Sequence, residues 1–201
     1  MIKLWHAPRT RSVRVLWLLE ELGLPYDLER VEFSPTYDRF FQQPTPLGKL
    51  PVLEDGELLL CESGAIVEYI LERYGNGRLA PAVSDALRGP FLQWMHFAES
   101  TLFAPFGVVV WLTRYRDDGS ELGSLVPDAR ERAGAGLEFL EEQLGDKKFI
   151  LGDDFSAADI MLGFTLAAAM TLEMLDERFP KTNAYLGRLM ERPAFLKAVT
   201  S

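Results

Sequence analysis

The stretch Gly48-Lys-Leu-Pro-Val-Leu-Glu-Asp-Gly-Glu-Leu-Leu-Leu-Cys-Glu-Ser-Gly-Ala-Ile66 decides how this chain folds. Two apolar-rich runs, Pro51–Glu54 and Glu57–Leu60, flank Asp55-Gly56, a pair suited to the positive backbone angles of a type I′ turn. A β-hairpin is expected there, and a helix directly after it. Ser63 is placed to cap that helix, Ile66, Val67, Ile70, Leu71 and Tyr74 recur at helical spacing, and Gly75 stops it. Pro51 cannot donate to a strand ladder, which puts it at an edge or a turn and leaves the Lys49–Leu50 backbone to pair with a ligand's main chain. Glu62-Ser63 sets a carboxylate beside a helix N-terminus whose unpaired amides attract anions. An α-amino acid head group, with ammonium and carboxylate one carbon apart, needs such a pair.

Upstream, Ile2, Leu4 and His6 alternate with Lys3 and Trp5 as in a strand. A helix is expected over Val13–Leu22, with Val15, Leu18, Leu19 and Leu22 as its apolar stripe and Gly23 and Pro25 as its end. A second strand over Tyr26–Phe33 follows, then a polar stretch, Ser34–Thr45, with a short helical possibility. Strand-helix-strand, then hairpin-helix, is the order of a thioredoxin-like α/β domain, here drawn over residues 1–78.

Gly48, Lys49, Pro51, Leu53, Glu62, Ser63, Ala65 and Ile66 resemble the glutathione-binding signature of glutathione S-transferases, and residues 12–26 resemble the first helix of many bacterial members. The class is not assignable. The resemblance implies a cis Leu50–Pro51 bond that exposes the Leu50 backbone to the cysteinyl part of glutathione. It implies that Glu62 and Ser63 hold the γ-glutamyl end, with Arg11 and Lys49 as further binding residues. Glutathione then serves as co-substrate.

The turn before the first helix is where the chemistry belongs. A thiol of pKa ~8.5 is mostly protonated at neutral pH, so lowering it by two units takes ~2.7 kcal/mol of thiolate stabilisation. A hydroxyl at a helix N-terminus with cations nearby supplies that. Thr10 and Ser12 offer hydroxyls, with Arg9, Arg11 and Arg14 around them. Family members place a Tyr, Ser or Cys in this region. Here Trp5 and His6 follow the first strand, the turn holds no cysteine, and the usual serine position falls on Arg9, beside Thr10. The assignment is split between Ser12 and Thr10, either of which also suits a capping role. His6 and Trp5 read as strand core or pocket lining, and Cys61 as a small buried hydrophobe.

Gly77–Ser84 reads as a linker, and residues 85–201 as an all-α helical domain. Asp85–Leu112 is rich in aromatic residues, with Pro90 and Pro105 bound to start, kink or break it. Most of its aromatics read as bundle core, while Phe103, Phe106 and Trp111 are candidates for an apolar pocket facing the first domain. Helices are also expected over Val126–Leu144, Ile160–Leu175, Asn183–Met190 and Pro193–Val199. Ser156 and Asp159 resemble a capping box, and Phe155 with Ile160 a hydrophobic staple. The same segment resembles the fold-nucleating cap of glutathione transferase C-terminal domains, a structural role.

The 201 residues carry a net charge of −9, which argues against nucleic acid or anionic membrane as the main partner. No apolar run approaches the ~20 residues of a membrane span. One cysteine and a start directly on a strand point to the cytoplasm. Two distant histidines imply no metal site. The expected activity is attack of the glutathione thiolate on a small apolar electrophile, in a protein that the resemblance makes a homodimer. A glutathione-dependent peroxidase or disulfide reductase, and a non-catalytic regulatory or binding protein, are the alternatives.

Overall fold

The structure, a computed structural model, describes residues 1–32, 48–114 and 123–201. The expected helical possibility over Ser34–Thr45 lies essentially outside the described residues. In chain order the elements are β1 (Ile2–His6), α1 (Ser12–Leu22), β2 (Tyr26–Arg30), β3 (Val52–Asp55), β4 (Leu58–Cys61), α2 (Ser63–Tyr74), α3 (Arg88–His96), a π-helical stretch (Phe97–Phe103), α4 (Ala104–Arg114), α5 (Leu125–Leu144), α6 (Ala157–Thr171), α7 (Pro180–Met190) and α8 (Pro193–Thr200). The chain divides into two compact units, Met1–Ala82 with Glu191–Ser201, and Val83–Met190.

The first unit is built on a mixed sheet of order β2-β1-β3-β4, in which β1 runs parallel to β2 and antiparallel to β3, and β4 runs antiparallel to β3. Period-two patterning sets the inner face, since Ile2, Leu4 and His6 of β1 are buried and Lys3 and Trp5 are half-buried. The hairpin forms, but its loop is Gly56-Glu57, joining the paired residues Asp55 and Leu58. Of these only Gly56 has a positive φ, 63°, which is the type II′ pattern and not I′. Asp55 stays in the strand, where its carboxylate accepts hydrogen bonds from Tyr69 (2.7 Å) and Tyr74 of α2. Gly75 does not stop α2 by turning left-handed, because its φ is −69°. Asn76 (φ 49°) and Gly77 (φ 76°) take the chain away.

The last helix was expected within the 85–201 domain, yet it packs with the first unit. The reason lies in α1, which is buried on every side from Ser12 to Leu19 and needs cover beyond the sheet. Phe195 of α8 meets Trp17 edge-on at 4.9 Å. Arg192 grips the Glu21 carboxylate through Nε (2.6 Å) and Nη2 (2.7 Å), and Lys197 pairs with Glu20 at 2.7 Å.

In the second unit, Arg88–Arg114 is one continuous helical run of 27 residues. Pro90 sits in the first turn, where a missing N–H costs little. Pro105 comes after the π-helical stretch with one residue, Ala104, between them, and the wider winding of that stretch accommodates a ring that would otherwise collide with the preceding turn. The Ala98 carbonyl in that stretch accepts a hydrogen bond from Thr165 of α6 at 3.1 Å. By length and composition alone the run could span a membrane, with a mean hydropathy of 1.3 in its most apolar window. Its Phe91, Trp94, Leu102, Phe106 and Val109 are buried within this unit.

The start of α6 is closed by a capping box. The Asp159 carboxylate accepts from the Ser156 amide (2.8 Å) and hydroxyl (2.9 Å), from the Ile150 amide (2.9 Å) and from the Tyr185 hydroxyl (2.7 Å). Burial pushes the Asp159 pKa up, against the pull of those four donors.

Candidate active site

Sheet register gathers the candidate residues of the first unit at one end. Val52 lies between Trp5 of β1 and Cys61 of β4, so the residues after β1, before β3 and after β4 all leave the sheet on the same side. Those are the turn 7–12, Leu50–Pro51 and Glu62–Ser63. Ala7 and Leu50 form a small buried cluster with Trp5 and Val31 packed against it, which ties the turn to the start of β3. The Leu50–Pro51 bond is cis, as the resemblance implies. Pro51 precedes an interior strand, so it marks a turn and not an edge.

At the α2 terminus the structure differs from the expected cap. The helix begins at Ser63 itself, and Ser63 caps nothing with its side chain. Its hydroxyl oxygen, nearly buried, accepts a hydrogen bond from Arg14 Nη1 at 3.0 Å. Arg14 is itself fully buried in α1, so a cation braces the helix start from within the unit. Ser63, accepting there, keeps its own hydroxyl proton to donate, and the first amides of α2 have no acceptor within the helix. Glu62 is exposed and holds φ 70°, ψ 112°, a conformation costing a non-glycine residue about 1–3 kcal/mol. Arg9, across the sheet end in the turn, also has a positive φ of 62°. Strain thus sits on both sides of this end.

The two hydroxyl candidates prove to be in direct contact and unequally placed. Ser12 is fully buried; its Oγ lies 2.7 Å from Thr10 Oγ1, 2.8 Å from His6 Nδ1 and 3.3 Å from the Ala7 amide that donates to it. Thr10 is half-buried, and its hydroxyl donates to the Ala7 carbonyl at 2.8 Å. Thr10 is therefore the more accessible of the two hydroxyls. His6 is fully buried, and burial first, then the Arg30 charge opposite it in β2, lowers its pKa from 6.5 to about 4. It is neutral at physiological pH. Arg11 is half-buried and Lys49 exposed, the latter beside Leu50. Burial and the adjacent Glu62 carboxylate push the Cys61 thiol up, which makes it a poor nucleophile.

The aromatic candidates belong to the other unit. Phe106 is fully buried in its core, Phe103 stacks on Phe164 at 5.9 Å, and Phe103 and Trp111 are half-buried. Among the described residues no group of three metal-ligating side chains comes together. Sequence reasoning placed Arg14 only among the cations near the turn and missed its burial and its bond to Ser63, as it missed the attachment of His6 to the hydroxyl pair. The signal for Arg14 was a cation amid Val13, Val15 and Leu16, where no solvent face is available.

Residues 1–72 match the glutathione S-transferase N-terminal domain family, and residues 123–188 match the glutathione S-transferase C-terminal domain family. Glutathione S-transferase GstB of Escherichia coli is 33% identical over 99% of this chain and 98% of its own. A glutathione S-transferase crystal structure from Actinobacillus pleuropneumoniae superposes with a TM-score of 0.82 at 30% identity, covering 98% of this chain and 91% of that one. A glutathione transferase family member from Pseudomonas fluorescens, solved with two glutathione bound, gives 0.84 at 26% identity over 98% and 92%. With the cis Leu50–Pro51 bond and Glu62–Ser63 brought to one sheet end, these matches place the chain in the glutathione S-transferase family.

Proposed function

We propose that the protein binds glutathione at this end of the sheet and adds its sulfur to an apolar electrophile. The observation that carries the reading is the α2 start: a buried Arg14 fixes Ser63, and Glu62 is held exposed in a strained conformation beside it. The α-carboxylate of the γ-glutamyl unit takes the Ser63 hydroxyl and helix amides, and its ammonium takes Glu62. The Leu50 backbone pairs with the cysteinyl unit, and Lys49 and Arg11 add positive potential for an anionic tripeptide. Thr10 donates to the sulfur, and Ser12 stands behind it. Positioning and thiolate stabilisation then do the work, because a held thiolate attacks without a further base.

Of the three aromatic candidates in the helical unit, Phe103 and Trp111 are half-buried and keep an apolar surface to offer, whereas Phe106 is too deeply buried. A second copy of the chain is part of the same reading, supported by Leu58 and Leu59, which stand exposed on the edge strand β4. Sedimentation would test it, a monomer counting against it.

Calorimetric titration with glutathione tests the reading as a whole. Wild type binds, and Glu62→Ala and Ser63→Ala each lose about 1.5–3 kcal/mol, roughly ten- to hundredfold in Kd. Unchanged affinity in both variants would remove the assignment, and absence of binding by wild type would favour a regulatory role. Assaying a chloronitrobenzene against a hydroperoxide then separates conjugation from peroxide reduction.

A further inference from the structure

We infer that His6 is a positioning residue that sets the direction of a hydroxyl chain, Ser12 to Thr10, so that the Thr10 proton is the one offered outward to sulfur. The inference rests on the glutathione-binding reading above and deepens it.

Counting protons gives the direction. Three short contacts run in series: His6 Nδ1 to Ser12 Oγ (2.8 Å), Ser12 Oγ to Thr10 Oγ1 (2.7 Å), and Thr10 Oγ1 to the Ala7 carbonyl (2.8 Å). Each contact needs one proton. The two hydroxyls supply two, and the Ala7 carbonyl supplies none. The third must come from His6 Nδ1. The alternative tautomer makes Ser12 donate to His6, leaves one of the other two contacts without a proton, and buries an N–H on His6 Nε2. That atom has no hydrogen-bond partner among the described residues. A lone pair there is better tolerated than an orphaned N–H, which native proteins rarely bury.

With the proton on Nδ1, the short contacts point one way: His6 to Ser12, Ser12 to Thr10, Thr10 to the Ala7 carbonyl; the Ser12 hydroxyl also lies 3.3 Å from the Ala7 carbonyl, a longer contact than the 2.7 Å to Thr10 that takes its proton. The Ser12 amide also donates to Thr10 Oγ1, at 3.3 Å. Thr10 Oγ1 therefore receives protons from behind and has only its own to give. A thiolate arriving at the half-buried Thr10 is a stronger acceptor than the Ala7 carbonyl, and rotation about one bond turns the proton to it. Hydrogen bonds in series polarise one another, so the chain strengthens that last donor. No proton is transferred along it. The neutrality of His6 fits this role, since an imidazolium would need a second acceptor at buried Nε2.

Nitrogen-15 NMR of the imidazole in the glutathione-free protein tests the direction without any substitution. The Nδ1–H tautomer is expected, and the Nε2–H tautomer would overturn the inference. Thiolate absorbance against pH for bound glutathione tests the consequence. His6→Leu removes the donor and is expected to raise the thiol pKa by about half a unit or more, roughly a threefold loss of thiolate at fixed pH. His6→Asn keeps an N–H close to the Nδ1 position and is expected to restore the wild-type curve. A shift in Thr10→Val with none in His6→Leu would sink the role of His6 while leaving the site reading intact. No shift in Thr10→Val would overturn the inference by removing Thr10 as the donor, while glutathione binding at this sheet end stands or falls by the calorimetric titration. Circular dichroism on each variant separates a chain that has unfolded from one that has lost its donor.

Discussion

Two serine-centred hydrogen-bond clusters sit at helix starts in this molecule, one in each compact unit, and they end differently. Around Ser156 the donors converge on the Asp159 carboxylate, which takes four of them in full burial. Around Ser12 no carboxylate takes part among the described residues. The contacts run from buried His6 through buried Ser12 to Thr10, which is half-buried and holds its proton on a single backbone carbonyl. A network that terminates inward on a strong acceptor ties α6 to α7 and to the preceding loop, and has nothing left to give a ligand. One that terminates outward on a hydroxyl is weaker as a brace and available for chemistry. The same residue type, serine near a helix N-terminus, serves opposite ends according to where its partners stop.

The sharpest way to break the contrast is at the closed cluster. Asp159→Ala strands two amides and two hydroxyls in the core. It should cost about 4 kcal/mol or more of unfolding free energy, read from urea denaturation of the helical unit's signal. A loss under 1 kcal/mol would mean that water replaces the carboxylate and that the cluster is not closed. Glutathione affinity, measured on whatever fraction stays folded, should be unaffected.

The next effect belongs to the open cluster and depends on pH. The folded-state pKa of His6 lies at about 4 against 6.5 unfolded, because burial and Arg30 disfavour the charged form. The unfolded chain therefore takes up the proton first. The resulting stability is complete above pH 6.5 and is lost as pH falls towards 4, by about 3 kcal/mol in total. Denaturation midpoints should fall steeply across that window in wild type and flatten in His6→Asn. An unchanged slope would place the acid sensitivity elsewhere.

Much of the first unit was legible in sequence because its signals are local. Gly23 ends α1 at φ 63°, with the Leu24 amide bonding back to Leu19, and the alternation of Ile2, Leu4 and His6 gave the inner face of β1. The turn type at Gly56 and the position of α8 were not legible, because each is set by partners remote in sequence. Tyr69 and Tyr74 hold Asp55 in its strand, and Trp17 and Glu21 capture Phe195 and Arg192. At the site, the sequence presented Ser12 and Thr10 as rivals for one role. It could not show that they touch, or that burial separates them, since the difference comes from His6 lying beneath the turn. Ser63 was misread as a cap for a related reason: the buried Arg14 that engages it comes from another helix.

The most direct measurement is the pKa of the glutathione thiol bound to wild type and to Thr10→Val, followed by thiolate absorbance. Wild type should hold the bound thiol below the ~8.5 of a free thiol, and Thr10→Val should raise it by about one unit, near 1.4 kcal/mol, with little change in glutathione affinity. A bound thiol titrating alike in both proteins would contradict the account, and would move thiolate stabilisation from the hydroxyl chain to the arginines or the backbone amides of the turn.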